Sequence, residues 1–405
     1  MHQLSSQSAW EQFLLYRLEK GRFNWREFEE ADEFVEREEY LPTVNNIIAG
    51  GGLSIPHKKV INKMGSNKKR IVYTYTPAEM TTLKVLSHLL YKYDAAFAPN
   101  CYAFRRGLRA ADAVTKVHKE VRDRRMWAYK LDISNYFNSI PISKLLSKLA
   151  RLLADDEPLY HFFEEMLSED RTIYNGEVQH EPRGAMAGVP TASFLANVYL
   201  SEVDHYFYEQ GVIYARYSDD IILFAEDYDT LLHHKATMLN LLEAHQLKVN
   251  PSKEKIFRPD EAYEFLGFKC SGSTIDIAEG AIDKMKGKIR RKMRSVLRWK
   301  QRKSIDESRA MERLVKYFNR KFFDDTDDKS LTWSRWYFPI ITSTEGLRII
   351  DSYLQQCIRV LSTGRHTKAN FRVSYDELKS LGYRSLVHEY YAYREVADDK
   401  KSLSK

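Results

Sequence analysis

The stretch "YARYSDDIILFAED", residues 214–227, sets two adjacent aspartates, Asp219 and Asp220, between two apolar runs. Short runs rich in β-branched and aromatic residues on either side of a polar pair are typical of two strands joined by a tight turn. Adjacent like charges in an apolar setting are costly unless cations neutralise them. A pair of aspartates in a turn is commonly ordinary turn chemistry, so its meaning depends on what the rest of the chain brings to this turn.

A third aspartate ends another predicted strand. The segment "MWAYKLDISNYF", residues 126–137, runs through mostly apolar residues into Asp132. If this strand neighbours the hairpin, Asp132, Asp219 and Asp220 meet at one edge of a sheet. Such oxygen ligands suit Mg²⁺, which takes one or two carboxylates together with phosphate oxygens. Two such ions about 4 Å apart activate a 3′-hydroxyl and stabilise a leaving pyrophosphate.

Composition sets broad limits on the protein. The chain has 405 residues, which is enough for two or three domains, and 43% of them are hydrophobic. Its three cysteines lie far apart without metal-binding spacing, which is typical of a reducing compartment. We see no apolar signal-peptide core and no apolar run of bilayer length. We therefore expect a soluble cytoplasmic protein that does not enter a membrane.

The order of predicted elements favours an α+β fold. The first 48 residues read as charged helices, and "AGGGLSIP", residues 49–56, reads as a junction. Strands and helices then mix without regular alternation to about residue 278, and helix follows almost throughout. This order predicts a sheet packed on one side. Within it, residues 193–208 form a predicted amphipathic helix whose apolar side carries Leu195, Tyr199, Val203 and Tyr206.

A strongly basic helix is predicted from Lys284 to Lys303. This segment holds eleven Lys or Arg and no acidic residue. Its apolar residues recur at helical spacing, so one face packs while the others present cations, as a phosphate backbone requires. A solvated basic face, or one that meets an acidic protein or a lipid, has the same pattern. The apolar residues are Met285, Ile289, Met293 and Val296.

Seven segments resemble, in order and spacing, those of reverse transcriptases of the bacterial group II intron and retron lineage. Five are similar to the palm motifs and the primer-grip hairpin: "KLDISNYFNSI" (130–140), "AGVPTASFLANVYL" (187–200), "RYSDDIIL" (216–223), "LKVNPSKEK" (247–255) and "YEFLGF" (263–268). Two upstream segments, at 67–86 and 101–114, resemble the fingers. The C-terminal region is similar to that of domesticated bacterial reverse transcriptases, including those associated with phage defence.

The resemblance implies a right-hand polymerase fold with fingers, a palm built on an antiparallel sheet, a helical thumb and a C-terminal helical region. The implied boundaries are a helical extension at 1–55, fingers at 56–125, a palm at 126–278 with a fingers insertion at about 141–183, a basic thumb at 279–320, and a helical region at 321–405.

The resemblance also assigns roles around the carboxylates. Asp132, Asp219 and Asp220, together with Ile133, become the site for two Mg²⁺ ions, with Mn²⁺ a substitute. Lys253 becomes the proton donor to pyrophosphate, and Lys255, two residues on, is the alternative. Phe137 becomes the aromatic gate that excludes a ribose 2′-hydroxyl. Its neighbour Tyr136 is the alternative, in which case Phe137 is a core residue.

The remaining implied contacts are with nucleotide and nucleic acid. Those for the incoming nucleotide are Lys69, Arg70, Gly188 and Pro190. Those for nucleic acid are Arg105, Arg106, Tyr217, Gly267, Lys288, Arg291 and Arg294. Two positions depart from the usual motifs, because Ala187 stands where many relatives carry Gln before the glycine, and Ser218 stands where alanine is commoner.

The implied function is RNA-directed DNA synthesis, in which dNTPs are added to a 3′-hydroxyl along an RNA template to give a DNA product. Antiphage defence with a structured noncoding RNA as template is the implied role, and a retron enzyme is the nearest rival. A template-independent or protein-primed polymerase uses the same carboxylates. A catalytically silent RNA-binding scaffold is a fourth reading. The segment "RHTKANFR", residues 365–372, is basic enough to bind RNA but also fits a bundle that supports the thumb.

Overall fold

The computed structural model describes residues 1–20, 25–62, 69–323 and 332–403. The chain divides into two compact units, Met1–Glu261 and Ala262–Lys405. The fingers segment predicted at 67–86 begins outside the described residues, at Asn67 and Lys68. No helix in the described ranges combines the length and the apolar composition that a membrane span needs.

Helices surround the sheets of the first unit. The helical prediction for the first 48 residues is confirmed by α1 (Gln7–Glu19), α2 (Trp25–Glu36) and α3 (Leu41–Ile48). Pro77 opens the next helix, and Thr76 caps it by accepting a hydrogen bond from the Glu79 amide. The helices that follow are α4 (Pro77–Leu89), α5 (Ala110–Val121), α6 (Tyr136–Ser139), α7 (Ile142–Leu152), α8 (Glu157–Ser168), α9 (Ala192–Glu209) and α10 (Tyr228–Ala244), with 3₁₀ turns at His2–Ser5 and Leu90–Ala96.

Two four-stranded sheets form within this unit. One has the order β2-β1-β4-β5 and consists of β1 (His57–Asn62), β2 (Lys69–Thr74), β4 (Arg171–Tyr174) and β5 (Glu177–His180). The other is wholly antiparallel, has the order β6-β7-β3-β8, and consists of β3 (Trp127–Asp132), β6 (Tyr214–Tyr217), β7 (Asp220–Ala225) and β8 (Lys255–Phe257). Strands with little regular helix alternation confirm the predicted α+β class.

The antiparallel sheet is covered more completely than the sequence pattern indicates. All five residues from Ile221 to Ala225 are buried, so both faces of β7 are shielded, and the prediction of one packed side is wrong at this strand. The predicted stripe on α9 is wrong at Tyr206, which is exposed, whereas Asp204 and Phe207 are buried. The reason is that α9 contacts β6 as well as α6 and α7, and a helix between layers has no single apolar side.

The second unit joins a small sheet to a helical bundle. Strands β9 (Tyr263–Phe265), β10 (Phe268–Ser271) and β11 (Thr274–Ile277) form an antiparallel meander. Asp276 on β11 accepts hydrogen bonds from Ser343 and from the Gly346 amide, which fixes the start of α14. The helices are α11 (Glu279–Lys303), α12 (Glu307–Phe322), α13 (Trp333–Tyr337), α14 (Glu345–Thr363), α15 (Tyr375–Ser380) and α16 (Leu386–Leu403), with a 3₁₀ turn at Lys368–Arg372.

The packed face of α11 is the predicted one. Its buried residues are Ile282, Met285, Ile289, Met293 and Val296, as the helical spacing indicates. Gly364 and Gly382, where the sequence predicts breaks, both have positive φ and follow α14 and α15. The finer domain boundaries within the two units remain a prediction.

Candidate active site

Strand register brings the predicted carboxylates together. Strand β3 pairs with β7 so that Asp132 lies opposite Asp220. The amide of Ile133 donates to the carbonyl of Asp219 at 3.0 Å, which ties the end of β3 to the turn between β6 and β7. Asp132 is buried, and the other two aspartates are half-buried. The antiparallel pairing of β3 and β7 therefore brings Asp132, Asp219 and Asp220 together, as the sequence predicts.

The turn that carries Asp219 is held from beneath by a buried ion pair. Ser218 has a φ of 62°, a left-handed conformation that is uncommon for a residue with a side chain. Its carbonyl accepts a hydrogen bond from the Arg216 guanidinium at 3.3 Å. Arg216 is fully buried and pairs with Asp204 on α9 through Nε at 2.8 Å and through Nη2. Tyr214 donates to the same carboxylate at 2.9 Å.

Lysines and an asparagine balance the carboxylates. Lys253 forms an ion pair with Asp132, whereas Lys255, the sequence alternative, lies over the ring of Phe257. The Asn250 amide donates to the Asp132 carbonyl at 2.7 Å, and the Asn250 side chain reaches Oδ1 of Asp132 at 3.4 Å. Lys130 Nζ lies 3.4 Å from Oδ1 of Asp220. Two cations therefore face the three acids.

The site's electrostatics reflect this crowding. Burial raises the pKa of the Asp219 carboxyl, and the charge of Asp132 raises it further, while Lys253 and Arg70 act in the opposite direction. Burial also raises the pKa of Asp220; Lys130 opposes this, and the two other aspartates reinforce it. The negative charge of each carboxyl thus carries a penalty that a nearby cation relieves.

The donor set suits a hard divalent cation. Apart from its ion pair with Lys130, the buried Oδ1 of Asp220 has no hydrogen-bond partner among the described residues. Carboxylate and carbonyl oxygens are the ligands that Mg²⁺ prefers. Ile133 has only its backbone carbonyl to offer a metal, since its side chain holds no oxygen. In the described part of the chain, no three acidic, histidine or cysteine side chains are arranged as a ready ligand set. The lysines hold Asp132 and Asp220 in this arrangement.

The two aromatic candidates for the sugar gate differ in exposure. Tyr136 is buried and donates its hydroxyl to the Ala196 carbonyl at 2.5 Å, which makes it a core residue. Phe137 is half-buried, and its ring centroid lies 6.1 Å from that of Phe104. Phe104 in turn lies 6.5 Å from Tyr217, beside the aspartate turn. Phe104 belongs to the segment 101–114 that resembles the fingers, and the sequence pattern does not single it out.

The predicted nucleotide contacts lie on β2 and on the loop before α9. Lys69 and Arg70 are exposed at the start of β2, and the charge of Arg70 weakly opposes the rise in the pKa of Asp219. The Tyr73 amide donates to the Ala187 carbonyl at 2.8 Å, so the loop packs on this strand. Gly188 has a φ of 102°, and a Cβ there would meet the Tyr73 carbonyl at 2.8 Å. Pro190, two residues on, is half-buried.

The predicted nucleic-acid residues divide into structural and available groups. Arg105 donates to the backbone carbonyls of Asp94, Ala98 and Cys101, so its guanidinium braces the loop rather than facing a ligand. Arg106 is exposed, with its guanidinium 5.9 Å from the Tyr16 ring.

Four of the predicted nucleic-acid residues, Gly267, Lys288, Arg291 and Arg294, lie in the second unit. Gly267 has a φ of 85° in the turn between β9 and β10. On α11, burial and then the charges of Lys321, Arg291 and Lys284 lower the pKa of Lys288. Arg291 and Arg294 are exposed.

Three supporting residues were not found from the sequence. Lys130 lies two positions before Asp132, which places both on the same face of β3. Arg216 stands beside the "YSDD" motif, but its partner Asp204 is on a distant helix. Only the spacing of Lys130 offers a local signal, because the Arg216–Asp204 pair depends on tertiary packing.

Comparisons with known proteins identify a matching family and several similar solved structures. A family model described as "Reverse transcriptase (RNA-dependent DNA polymerase)" matches residues 41–270. Similar solved structures include apo telomerase from Candida tropicalis truncated of its C-terminal domain, at 13% identity and TM-score 0.44, with 60% of each chain covered. Telomerase from Candida albicans in complex with a TWJ fragment of telomeric RNA is 12% identical, with TM-score 0.44 and coverage of 86% of this chain and 68% of that one. Apo telomerase from Candida tropicalis is 11% identical, with TM-score 0.46 and coverage of 82% and 69%.

The chain spans 60% of the length of the first of these telomerases. No curated protein matches the chain.

Proposed function

This chain belongs to the reverse transcriptase family of RNA-dependent DNA polymerases, and from that premise we propose that it extends a primer 3′-hydroxyl with dNTPs copied from an RNA template. The observation that carries the proposal is the register of β3 and β7, which sets Asp132 opposite Asp220 with Asp219 in the adjoining turn. Three acids at one sheet edge, faced by Lys253 and Lys130, suit phosphoryl chemistry better than they suit a stable core.

We propose that Asp132, Asp219 and Asp220 hold divalent cations, together with the carbonyl of Ile133. Reverse transcriptases generally use divalent metals, and for this chain we propose two Mg²⁺ ions, with Mn²⁺ able to substitute. When bound, the ions supply activation of the 3′-hydroxyl and charge neutralisation at the pyrophosphate. Lys253, freed from Asp132, carries a proton that it can give to the leaving group.

We propose that Phe137 and strand β2 select the incoming nucleotide. The half-exposed ring of Phe137 would fill the space that a 2′-hydroxyl needs, which favours dNTP over rNTP. Arg70 and Lys69 offer charge-assisted hydrogen bonds to the triphosphate. The support for Arg70 is its electrostatic effect on Asp219. Gly188 allows its loop to approach β2 closely, as its contact with Tyr73 indicates.

The physiological role that we propose is antiphage defence in the bacterial cytoplasm, with a structured noncoding RNA as template. Its support is the resemblance of the C-terminal region to domesticated bacterial reverse transcriptases. A retron enzyme is the alternative of the same class. Sequencing the nucleic acid that copurifies with the protein tests both, because a branched or covalently linked RNA–DNA species favours a retron and an unlinked cDNA of one noncoding RNA favours the proposed role.

The central test is primer extension with the Asp219→Asn/Asp220→Asn double variant. The substitution keeps size while removing both negative charges, so dNTP incorporation should fall to background and RNA binding should persist. Glu226→Gln is the matched control, since it neutralises an exposed acid just after the same hairpin. Equal activity of the double variant would contradict the catalytic proposal.

Templating is tested with the wild-type chain. Product sequence should follow the RNA supplied, and omission of RNA should abolish synthesis. A homopolymer made without RNA would favour the template-independent or protein-primed reading instead. Unchanged cellular function of the double variant would favour an RNA-binding scaffold.

A further inference from the structure

Phe371 is the most exposed large apolar side chain in the described ranges, at 71%. It lies in the 3₁₀ turn Lys368–Arg372, within residues 364–373, which we call the Phe371 loop. A phenyl ring left in water loses the stabilisation that burial provides. A single exposed apolar residue is ordinary on a protein surface, so the meaning of Phe371 depends on the groups around it.

The Phe371 loop is built around a buried residue, so its ring is held outward. Asn370 is buried, and its Nδ2 donates to the Arg365 carbonyl at 2.9 Å. Its Oδ1 accepts from Thr363 at 2.5 Å and from Thr367 at 3.3 Å. These three hydrogen bonds fix the backbone that precedes the ring.

Cations flank the ring and lack acidic partners. Arg365, Lys368 and Arg372 are exposed, and none of them forms an ion pair with a described residue. In a 3₁₀ turn, side chains three residues apart eclipse one another. Lys368 and Phe371 therefore share one edge of the turn.

The Phe371 loop adjoins the basic helix α11. Lys300 on α11 donates to the carbonyls of Leu361 at 2.6 Å and Ser362 at 3.2 Å, at the end of α14. A Cβ on Gly364 would lie 3.8 Å from Cδ1 of Leu297, in ordinary van der Waals contact. The loop therefore lies beside the last turns of α11.

An arginine stripe runs along α11 opposite its buried face. The spacing of three or four residues aligns its members along the helix, all of them are exposed, and none forms an ion pair with a described residue. The positive surface of the helix therefore continues toward the Phe371 loop. The members of the stripe are Arg291, Arg294, Arg298 and Arg302.

We propose that the Phe371 loop binds single-stranded nucleic acid, with a base stacked on Phe371 and phosphates at Arg365, Lys368 and Arg372. An aromatic ring among cations is the arrangement that such ligands require, because every unpaired base offers a π-face and every linkage a phosphate. A paired duplex hides its base faces and offers only phosphates to this loop. The arginine stripe would carry the adjoining backbone. This site goes beyond the proposed chemistry, since it needs neither metal nor dNTP.

The test is binding of a fluorescent oligouridylate to the full chain, measured by anisotropy in EDTA without dNTP. Phe371→Ala should weaken binding by about five- to a hundredfold, the range expected for loss of one stacked base. Phe371→Tyr keeps the ring face and should bind like the wild type. Trp25→Ala removes a ring of 65% exposure from the acidic helix α2 and should change nothing.

Further binding measurements distinguish RNA from DNA as the ligand, and nucleic acid from anionic lipid. Oligothymidylate should bind with the same Phe371 dependence if the DNA copy also uses the site, and without it if only RNA does. Unchanged affinity of Phe371→Ala for both oligomers overturns the proposal. So does an equal loss for an abasic sugar-phosphate oligomer, or a loss confined to anionic lipid vesicles. Because Asp219→Asn/Asp220→Asn should bind the oligomer normally, failure here is distinct from failure of the catalytic proposal.

Discussion

Asp219 and Asp220 are each subject to opposing electrostatic effects. Two like charges about 4 Å apart at an effective dielectric constant of 20 cost about 4 kcal/mol. Burial adds to this cost and raises the pKa of both carboxyls. Lys130 and Lys253 offset part of it. Neighbours that lie on other strands and loops therefore limit how far the pKa of each carboxyl rises.

The buried pair beneath the turn should dominate its stability. Asp204→Asn leaves the fully buried Arg216 without a counter-charge, so the free energy of unfolding should fall by about 3–5 kcal/mol. Urea denaturation followed by circular dichroism measures this. Glu226→Gln, which breaks an exposed pair with Arg124, should cost less than about 1 kcal/mol. Similar losses for the two variants would contradict a special role for the buried pair.

Substitutions of Phe137 and of Tyr136 should have different effects on the choice between dNTP and rNTP. Phe137→Ala opens space beside the sugar, so rNTP incorporation relative to dNTP should rise by about 10- to 100-fold. Tyr136→Phe removes only a buried hydroxyl bonded to Ala196 and should cost stability without changing selection. The ratio of kcat/KM for dATP and ATP is the measurement. A change in selection for Tyr136→Phe alone would reverse the assignment.

Elements decide where these residues meet. The antiparallel register of β3 and β7 sets Asp132 against Asp220, and a slip by one residue would turn the whole set of side chains to the other face. The loop before α9 reaches β2 through the hydrogen bond from Tyr73 to Ala187. Close backbone approach at this point leaves no room for a side chain on Gly188.

Gly188→Ala tests that close approach. The positive φ and the 2.8 Å contact with the Tyr73 carbonyl should together lower the free energy of unfolding by about 1–3 kcal/mol. Gly176→Ala is the matched control, because Gly176 has a φ of 87° with nothing within 4 Å of its added Cβ. The control should show only the smaller cost of the backbone conformation. Equal melting temperatures for the two variants would argue against the contact.

At the scale of the whole molecule, charge is distributed unevenly. The net charge is only +7 for 405 residues, yet eleven cations lie in α11 and acids crowd α2. Long-range attraction to a phosphate backbone therefore originates chiefly in the second unit. The aspartates that we propose as catalytic lie in the first unit, so we expect nucleic-acid binding and chemistry to be separable by substitution.

Neutralising part of α11 should change the salt dependence of RNA binding. Arg291→Gln/Arg294→Gln removes two proposed phosphate contacts, so the slope of log K against log salt should become shallower by about one to two. Anisotropy titrations at several salt concentrations measure the slope. Arg26→Gln/Arg37→Gln on α2 removes two exposed, ion-paired arginines and should leave it unchanged. An unaltered slope for the α11 variant would remove this helix from the binding surface.

The sequence by itself determined the family-level features that depend on local pattern. Apolar, β-branched and aromatic runs with turn chemistry identified β3 and the β6–β7 hairpin, and helical spacing identified the buried face of α11. Each of these signals lies within a few neighbouring residues. The order of motifs along the chain pointed to Asp132, Asp219 and Asp220. The same local signals misjudged α9 at Tyr206, where a helix lies between two layers.

Only the tertiary structure decided how those residues are supported. It distinguished Lys253 from Lys255 and Tyr136 from Phe137, since contact with Asp132 or burial against Ala196 depends on segments far away in sequence. It also paired Arg216 with Asp204 and turned Arg105 onto backbone carbonyls. Ion pairs and hydrogen bonds act over a few ångströms in space, and a linear pattern does not record which distant groups come within that range.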